Sequence, residues 1–118
     1  MNDEQQIRAC LQDYFDGLFH ADTQKLASVF HLDTVLKAPG IRRTRNEWLE
    51  LVATRPVPAE VESSDAFRVL AIDLAGEQAM AKVECPLFEK TYIDFLGLLK
   101  ENGVWKIVSK MYADKYTR

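Results

Sequence analysis

Apolar residues near the start of the chain recur at every third or fourth position, which is the spacing of one face of an α-helix. The positions between them, including Arg8, Gln12 and Asp16, are polar, so this segment predicts an amphipathic first helix. Its apolar stripe consists of Ile7, Cys10, Leu11, Tyr14, Phe15, Leu18 and Phe19.

Two further helices are predicted from the residues that can start them. Asp22 can cap a short helix over "TQKLASVF", because its carboxylate accepts a hydrogen bond from a free backbone N–H. Thr44 followed by Glu47 matches a capping box, which predicts a third helix ending before Pro56. Between these two helices, "TVLKAPGIRR" predicts a short strand or hairpin that turns at its Pro-Gly pair.

From about residue 66 the pattern changes to strand-length runs separated by short turns. The four runs are "AFRVLAIDL", "QAMAKVECPLF", "TYIDFLGLLK" and "VWKIVSKMYA", and they predict an antiparallel meander. The segment "RPVPAEVESSD" is interpreted as the connection from the third helix to the first run. Helices followed by strands predict an α+β fold with the helices on one face of the sheet, and the length of 118 residues predicts a single domain, 1–118.

The last two runs predict a hairpin whose side chains sort into two faces. If Asn102 and Gly103 form a tight turn, Glu101 opposes Val104 and the pairing continues in step along both strands. The predicted inner face then consists of Tyr92, Asp94, Leu96, Leu98, Trp105, Ile107, Ser109 and Met111. The predicted outer face consists of Ile93, Phe95, Leu99, Lys106, Val108, Lys110 and Tyr112.

Polar groups gather at one end of the inner face, away from the turn. They are Asp94, Ser109 and the hydroxyl of Tyr92, whereas the turn end is filled by large apolar side chains. This distribution predicts a packed half and a hollow half, with a mainly apolar ligand pocket that bears Asp94. The alternative is a carboxylate that serves the fold and accepts hydrogen bonds from a nearby hydroxyl, backbone N–H or water.

The outer face is too apolar to lie open to water if its side chains form one patch. We therefore expect a homodimer through Ile93, Phe95, Val108, Lys110 and Tyr112, with the lysine stems covering apolar surface at the rim.

Composition and charge narrow the classes of function. A hydrophobic content of 47% excludes disorder, and a net charge of -3 provides no basic field, so nucleic acid is not an expected partner. The run of Arg42, Arg43 and Arg45 is interpreted as a solvated turn, with an anionic ligand site as the alternative.

Cys10 and Cys85 are too few for a disulfide framework and lack metal-ligand spacing, so no metal or cofactor is expected. Without a signal peptide or an apolar span, we expect no membrane contact and a cytoplasmic location.

Two long segments resemble those of a known superfamily. "YFDGLFHADTQKLASVFHLDTVLKAPG" is similar to the opening of nuclear transport factor 2-like proteins, and "YIDFLGLLKENGVWKIVSKMYA" is similar to their closing hairpin, especially in the SnoaL-like and putative lumazine-binding branch. The resemblance implies the cystatin-like fold, in which a strongly bent, mostly antiparallel sheet wraps as a cone around three helices. It also implies a pocket at the wide end, and many members are dimers.

The resemblance also implies roles for individual residues. Tyr14 and Asp94 match the tyrosine and the pocket acid that form the oxyanion hole of ketosteroid isomerase, which makes them the candidate catalytic residues. The isomerase general base corresponds to Ala38, just before Pro39, and a methyl group cannot take a proton. Whether the protein is an enzyme therefore stays open, and the alternative for Tyr14 is a core residue on the helix stripe.

Three functions follow from these observations. The leading hypothesis is a protein that binds a small apolar or aromatic ligand. The second is a SnoaL-like isomerase, cyclase or dehydratase that moves a proton next to a carbonyl, with Asp94 as acid or base. The third is a dimeric interaction module with a vestigial pocket. The candidate ligand-binding residues are Tyr14, Phe30, Trp48, Tyr92, Asp94, Ser109 and Met111.

Overall fold

The computed structural model describes residues 1–61 and 66–115. The helices are α1 (Asp3–His20), α2 (Thr23–Val29), α3 (Arg45–Thr54) and α4 (Pro58–Val61). The strands are β1 (Phe30–Ala38), β2 (Ile41–Thr44), β3 (Arg68–Ala75), β4 (Gln78–Leu87), β5 (Lys90–Glu101) and β6 (Val104–Asp114). Within the two described ranges, no helix combines the length and the apolar character needed to cross a bilayer.

Side-chain caps fix where the three main helices begin. Asn2 and Gln5 form a capping box at the start of α1. The predicted caps of the other two helices are confirmed, since Asp22 caps α2 and Thr44 forms a capping box with Glu47 at α3. Each cap satisfies backbone N–H groups that have no partner inside the helix, which is a local effect that the sequence can reveal.

The six strands form one mixed sheet in the order β2-β1-β6-β5-β4-β3. Strands β3 to β6 are the predicted antiparallel meander, and β1 joins it in parallel beside β6. Helix α1 packs on β6 while α2 and α3 pack on β1, and the buried apolar side chains of helices and strands form one core. The predicted α+β class is confirmed.

The hairpin of β5 and β6 departs from the predicted pairing at one residue. Leu98 pairs with Ile107, as predicted, but Gly97 pairs with Ser109. Val108 is therefore an extra residue on β6, which makes this point a β-bulge.

The bulge inverts the faces of β6 beyond it, because a shift of one residue moves every following side chain to the opposite side of a sheet. Lys110 and Tyr112 lie on the inner face, opposite the inward-facing residues of β5, while Ser109 and Met111 lie on the outer face. Lys110 is 6% exposed and Met111 is 45% exposed. The predicted faces of these four residues are wrong.

The connection after α3 is more ordered than predicted. It contains α4, a single turn that starts at Pro58, where a proline suits the first turn because the N–H it lacks would have no partner there. Residues 62–65 of the predicted connection lie outside the described residues.

Helices α1 and α2 approach each other at a glycine. A Cβ atom at Gly17 would lie 2.7 Å from both Cγ and Cδ2 of Leu26, which is fully buried. The absence of a side chain at position 17 therefore allows α2 to fold back closely onto α1.

We expect Gly17→Ala to destabilise the protein by about 1–3 kcal/mol, because the overpacked methyl group outweighs the gain of about 1 kcal/mol in helix propensity. Guanidinium unfolding measures the change. In a Leu26→Ala background the methyl group has room, so Gly17→Ala should there be neutral or stabilising. An equal loss in both backgrounds would show that the contact between the two residues is not the cause.

Candidate functional site

The centre of the candidate site is a hydrogen bond between the first helix and the fifth strand. Tyr14 Oη on α1 donates to Asp94 Oδ2 on β5 at 2.6 Å. Tyr14 is 0% exposed and Asp94 is 2% exposed. Asp94 faces inward because side chains alternate along a strand and its neighbour Phe95 faces outward. The structure therefore brings the two predicted catalytic residues into direct contact.

Two further polar side chains approach the same carboxylate oxygen. Cys85 Sγ on β4 donates to Asp94 Oδ2 at 3.5 Å, and Lys110 Nζ on β6 lies 3.9 Å from it. Within the described part of the chain, neither Oδ1 of Asp94 nor Nζ of Lys110 takes part in a hydrogen bond. Since an ammonium has three donors and a carboxylate has about four acceptor sites, both groups keep capacity for another molecule.

Three aromatic rings surround the ammonium group of Lys110. Its Nζ lies 4.6 Å from the ring centroid of Trp48, 5.3 Å from that of Tyr14 and 5.4 Å from that of Tyr112. Each distance is within the range of about 6 Å over which a ring quadrupole attracts a cation. These rings partly replace the water that Lys110 loses on burial.

A cavity of about 190 Å³ lies beside this group. It is smaller than the roughly 300–1,000 Å³ of pockets for drug-sized ligands, so it fits a small ring compound at most. We call the part of the cavity at buried Asp94 and Lys110 its buried end, and the part at half-buried Arg43 and Arg55 and exposed Leu51 its outer end. The complete lining is Leu18, Arg43, Trp48, Leu51, Arg55, Cys85, Leu87, Tyr92, Asp94, Lys110 and Tyr112.

Burial shifts the proton affinities of the polar groups at the buried end. It raises the pKa of Tyr14 well above its usual value, and the carboxylate of Asp94 raises it further. Burial also raises the pKa of the Cys85 thiol, and the charge of Asp94 raises it further. In contrast, burial lowers the pKa of Lys110, while Asp94 acts in the opposite direction. Tyr14 and Cys85 therefore keep their protons at neutral pH and act as hydrogen-bond donors.

The structure distributes the predicted ligand-binding residues over three places. Asp94, Trp48 and Tyr92 line the cavity. Tyr14 and Phe30 stand behind it, where the Phe30 ring packs edge-on against Tyr14 at 5.6 Å and Trp48 at 5.2 Å. The remaining two, Ser109 and Met111, were placed on the inner face by the prediction, and this is wrong because the bulge turns them to the opposite side of the sheet.

The prediction missed the cationic residues of the cavity. Lys110 was assigned to the outer face, Arg43 to a solvated turn with an anionic ligand site as the alternative, and Arg55 to no role, yet all three line the cavity with Asp94. The expectation of a mainly apolar pocket is therefore corrected to a pocket of mixed character. Alternation along β2, where exposed residues flank half-buried Arg43, could have indicated that Arg43 faces inward. No sequence signal marks the bulge that brings in Lys110.

The residues expected for an isomerase-type general base and for a metal site are not found together at this cavity among the described residues. Ala38, which the resemblance matches to the isomerase base, pairs with Ile41 at the end of β1 and does not line the cavity. Across residues 1–61 and 66–115, no three histidine, cysteine, aspartate or glutamate side chains come together as a metal site would require.

Comparison with protein families identifies the relatives of this chain. A family model described as "Putative lumazine-binding" matches residues 2–113. The chain belongs to this family. A search of curated proteins found no match.

Solved structures show that this member of the lumazine-binding family has the nuclear transport factor 2-like fold. A protein of unknown function from Shewanella baltica OS155 is 20% identical with a TM-score of 0.80, and the match covers 99% of each chain. Another, from Silicibacter pomeroyi DSS-3, is 20% identical with a TM-score of 0.78, covering 98% of this chain and 100% of that one. A protein described as a putative ketosteroid isomerase from Kribbella flavida DSM 17836 is 21% identical with a TM-score of 0.60, covering 97% and 82%. At these identities the similarity establishes the fold alone.

We expect Tyr14→Phe to lower the free energy of unfolding by about 1–3 kcal/mol at neutral pH, because Asp94 then loses its buried donor. Tyr112→Phe is the matched control, since its hydroxyl only accepts a bond of 3.2 Å from half-buried Arg43, and it should cost less. Urea unfolding measures both changes.

The stabilities of the wild type and of Tyr14→Phe should also differ in their dependence on pH. The folded-state pKa of Tyr14 lies above the unfolded value, so its contribution is complete below the usual tyrosine pKa of about 10 and is lost as the pH rises above it. Between about pH 9 and pH 11, the wild type should therefore lose more stability than Tyr14→Phe. Equal alkaline losses in the two proteins would contradict this assignment.

Proposed function

We propose that the protein binds a small, flat ring compound in the cavity beside Asp94. The observation that carries the proposal is the unused hydrogen-bonding capacity of Asp94 and Lys110 at the buried end of that cavity. Within the described residues the ammonium of buried Lys110 makes no hydrogen bond, which costs several kcal/mol, so a molecule that accepts from Lys110 and donates to Oδ1 of Asp94 is favoured there.

The surroundings of the two charged groups suit a ligand that is planar and carries both donors and acceptors. Trp48 and Tyr92 offer aromatic surface along the lining. Asp94 Oδ1 can accept from a ring N–H, and Lys110 can donate to a ring carbonyl. The family description also supports a ligand of this class, since lumazine is a fused bicyclic ring with amide groups.

Tyr14 has a supporting role in this proposal. Its hydroxyl is already committed to Asp94 Oδ2, and Tyr14 does not line the cavity. We therefore assign Tyr14 to holding the Asp94 carboxylate in place so that Oδ1 faces the ligand.

The test combines two measurements on the purified protein. Native mass spectrometry reports any compound retained from the cell, and calorimetric titration measures the binding of lumazine. Asp94→Asn should weaken binding by about tenfold or more, because it removes a charged acceptor. The matched control is Asp73→Asn on an exposed position of β3, which should leave binding unchanged. Circular dichroism checks that both variants fold.

Two results would overturn the proposal. One is the absence of a retained compound together with no binding of lumazine, 2-naphthamide, 2-naphthoate or 2-naphthyl phosphate. The other is an equal weakening of ligand binding by Asp94→Asn and Asp73→Asn, which would show that the ligand does not bind at Asp94. The first result would favour an interaction module over a ligand-binding protein, and the second would place the ligand elsewhere on the protein.

We also propose that the protein forms a homodimer through the outer face of the sheet. The outer apolar patch consists of Met80, Phe95, Leu99 and Met111, which are 38–47% exposed. A shallow groove of about 600 Å³ follows this face and includes Val108. Of the predicted interface residues, Lys110 and Tyr112 line the cavity and drop out, while Ile93, Phe95 and Val108 remain candidates.

Light scattering should give twice the chain mass of 13.5 kDa at micromolar concentration. Phe95→Lys should shift the protein to monomer, because it places a charge inside a contact that excludes water. Val61→Lys, at an exposed position of α4 on the helical side, is the control and should remain dimeric. A monomeric wild type, or dissociation by both variants, would rule out this interface.

A further inference from the structure

Cations outnumber anions around the cavity, although the chain as a whole is acidic with a net charge of -3. Arg43, Arg55 and Lys110 line it, against the single carboxylate of Asp94. Within the described residues, no carboxylate lies within ion-pair distance of Arg43 or Arg55. Arg43 Nη1 donates to the neutral hydroxyl of Tyr112 at 3.2 Å, and the carboxyl of Glu47, whose pKa the charge of Arg43 helps to lower, stays beyond ion-pair distance.

Arg55 has a buried hydrogen-bond donor that lacks an acceptor. Among the side-chain nitrogen and oxygen atoms of the described residues that are closed off from solvent, only its Nε lacks a hydrogen-bond partner. Its guanidinium lies 5.5 Å from the ring centroid of Phe88, so the side chain is held in place by packing and cation–π attraction. An unpaired buried donor on a charged group is unusual in folded proteins and calls for a partner, such as an unseen ligand.

The two buried cations also repel each other. Burial lowers the pKa of Lys110, and the charge of Arg55 lowers it further. Burial likewise lowers the pKa of Arg55. An anion bound to Arg55 would offset this repulsion and give Arg55 Nε the acceptor that it lacks.

We propose that the ligand of this cavity carries a carboxylate or phosphate group, and that Arg55 and Arg43 bind this group at the outer end of the cavity. The inference rests on the proposed ligand-binding function and adds the chemical class of the ligand. The ring then points toward Trp48 and the buried end, where Asp94 and Lys110 bind its polar edge. A guanidinium suits this task because its fixed fork of N–H groups can bind two oxygens of one anion.

Three probes that share one ring separate the contributions of shape and charge. They are 2-naphthoate, 2-naphthyl phosphate and the neutral 2-naphthamide, each titrated calorimetrically into the whole protein. Wild type should bind at least one of the two anions about tenfold or more tightly than the amide. The tighter of the two anions distinguishes a carboxylate site from a phosphate site.

Variants locate the anion contact. Arg55→Met should weaken binding of the preferred anion by about tenfold or more and leave binding of 2-naphthamide unchanged. Arg42→Met is the matched control, because Arg42 is exposed and donates to the carbonyls of Ala38 and Ile41 at 3.1 and 2.8 Å, outside the cavity. It should change neither affinity. Arg43→Met supplies a second test if Arg55→Met fails to fold.

The outcomes separate this inference from the proposed function. Binding of 2-naphthamide as tight as that of both anions would overturn the anionic ligand and leave the ligand-binding function standing. Equal weakening of anion and amide by Arg55→Met would show that Arg55 acts through packing. A failure of all three probes to bind would reject the inference together with the binding of flat bicyclic compounds.

Discussion

The extra residue at Val108 is the constraint on which the rest of the site depends. It lets one strand satisfy two requirements, since β6 fills the core with Trp105 and Ile107 before the bulge and turns Lys110 into the cavity after it. Without the bulge, strand alternation would place Ser109 and Met111 inside and leave the amine outside. The bulge therefore sets the charge of the cavity as well as its shape.

Inside the cavity, the balance of charges is incomplete without a ligand. Asp94 accepts bonds from Tyr14 and Cys85 and attracts Lys110, so its own charge is well compensated. The charges of the surrounding cations are less well compensated, because aromatic rings can offset only part of the hydration that a buried ammonium or guanidinium loses. A preformed excess of positive charge at a small cavity favours a compact anionic partner, and it also explains why the site is not simply a packed extension of the core.

The fold and the site carry different amounts of information about function. The family match and the distant relatives establish the fold, and in this chain the cavity is lined by residues of the helices and of the inner face of the sheet. They do not set the chemistry, since one fold hosts many functions. The resemblance places Ala38 at the base position of the isomerases, whereas an amine and two guanidinium groups line the cavity of this chain. The proposed function therefore rests on these side chains and not on the fold.

The sequence by itself determined the features that depend on neighbouring residues. Caps at Asp22 and Thr44, the Asn-Gly turn and the alternation of the four strands all act within a few positions, so the α+β order was predictable. The pairing of Tyr14 with Asp94 followed only from the resemblance to a family, because those residues are distant in the chain. Tertiary structure alone decided the bulge, and with it the inward position of Lys110 and the convergence of the two arginines. A bulge is selected by how a whole strand packs against its partners, and one added residue reverses every side chain beyond it.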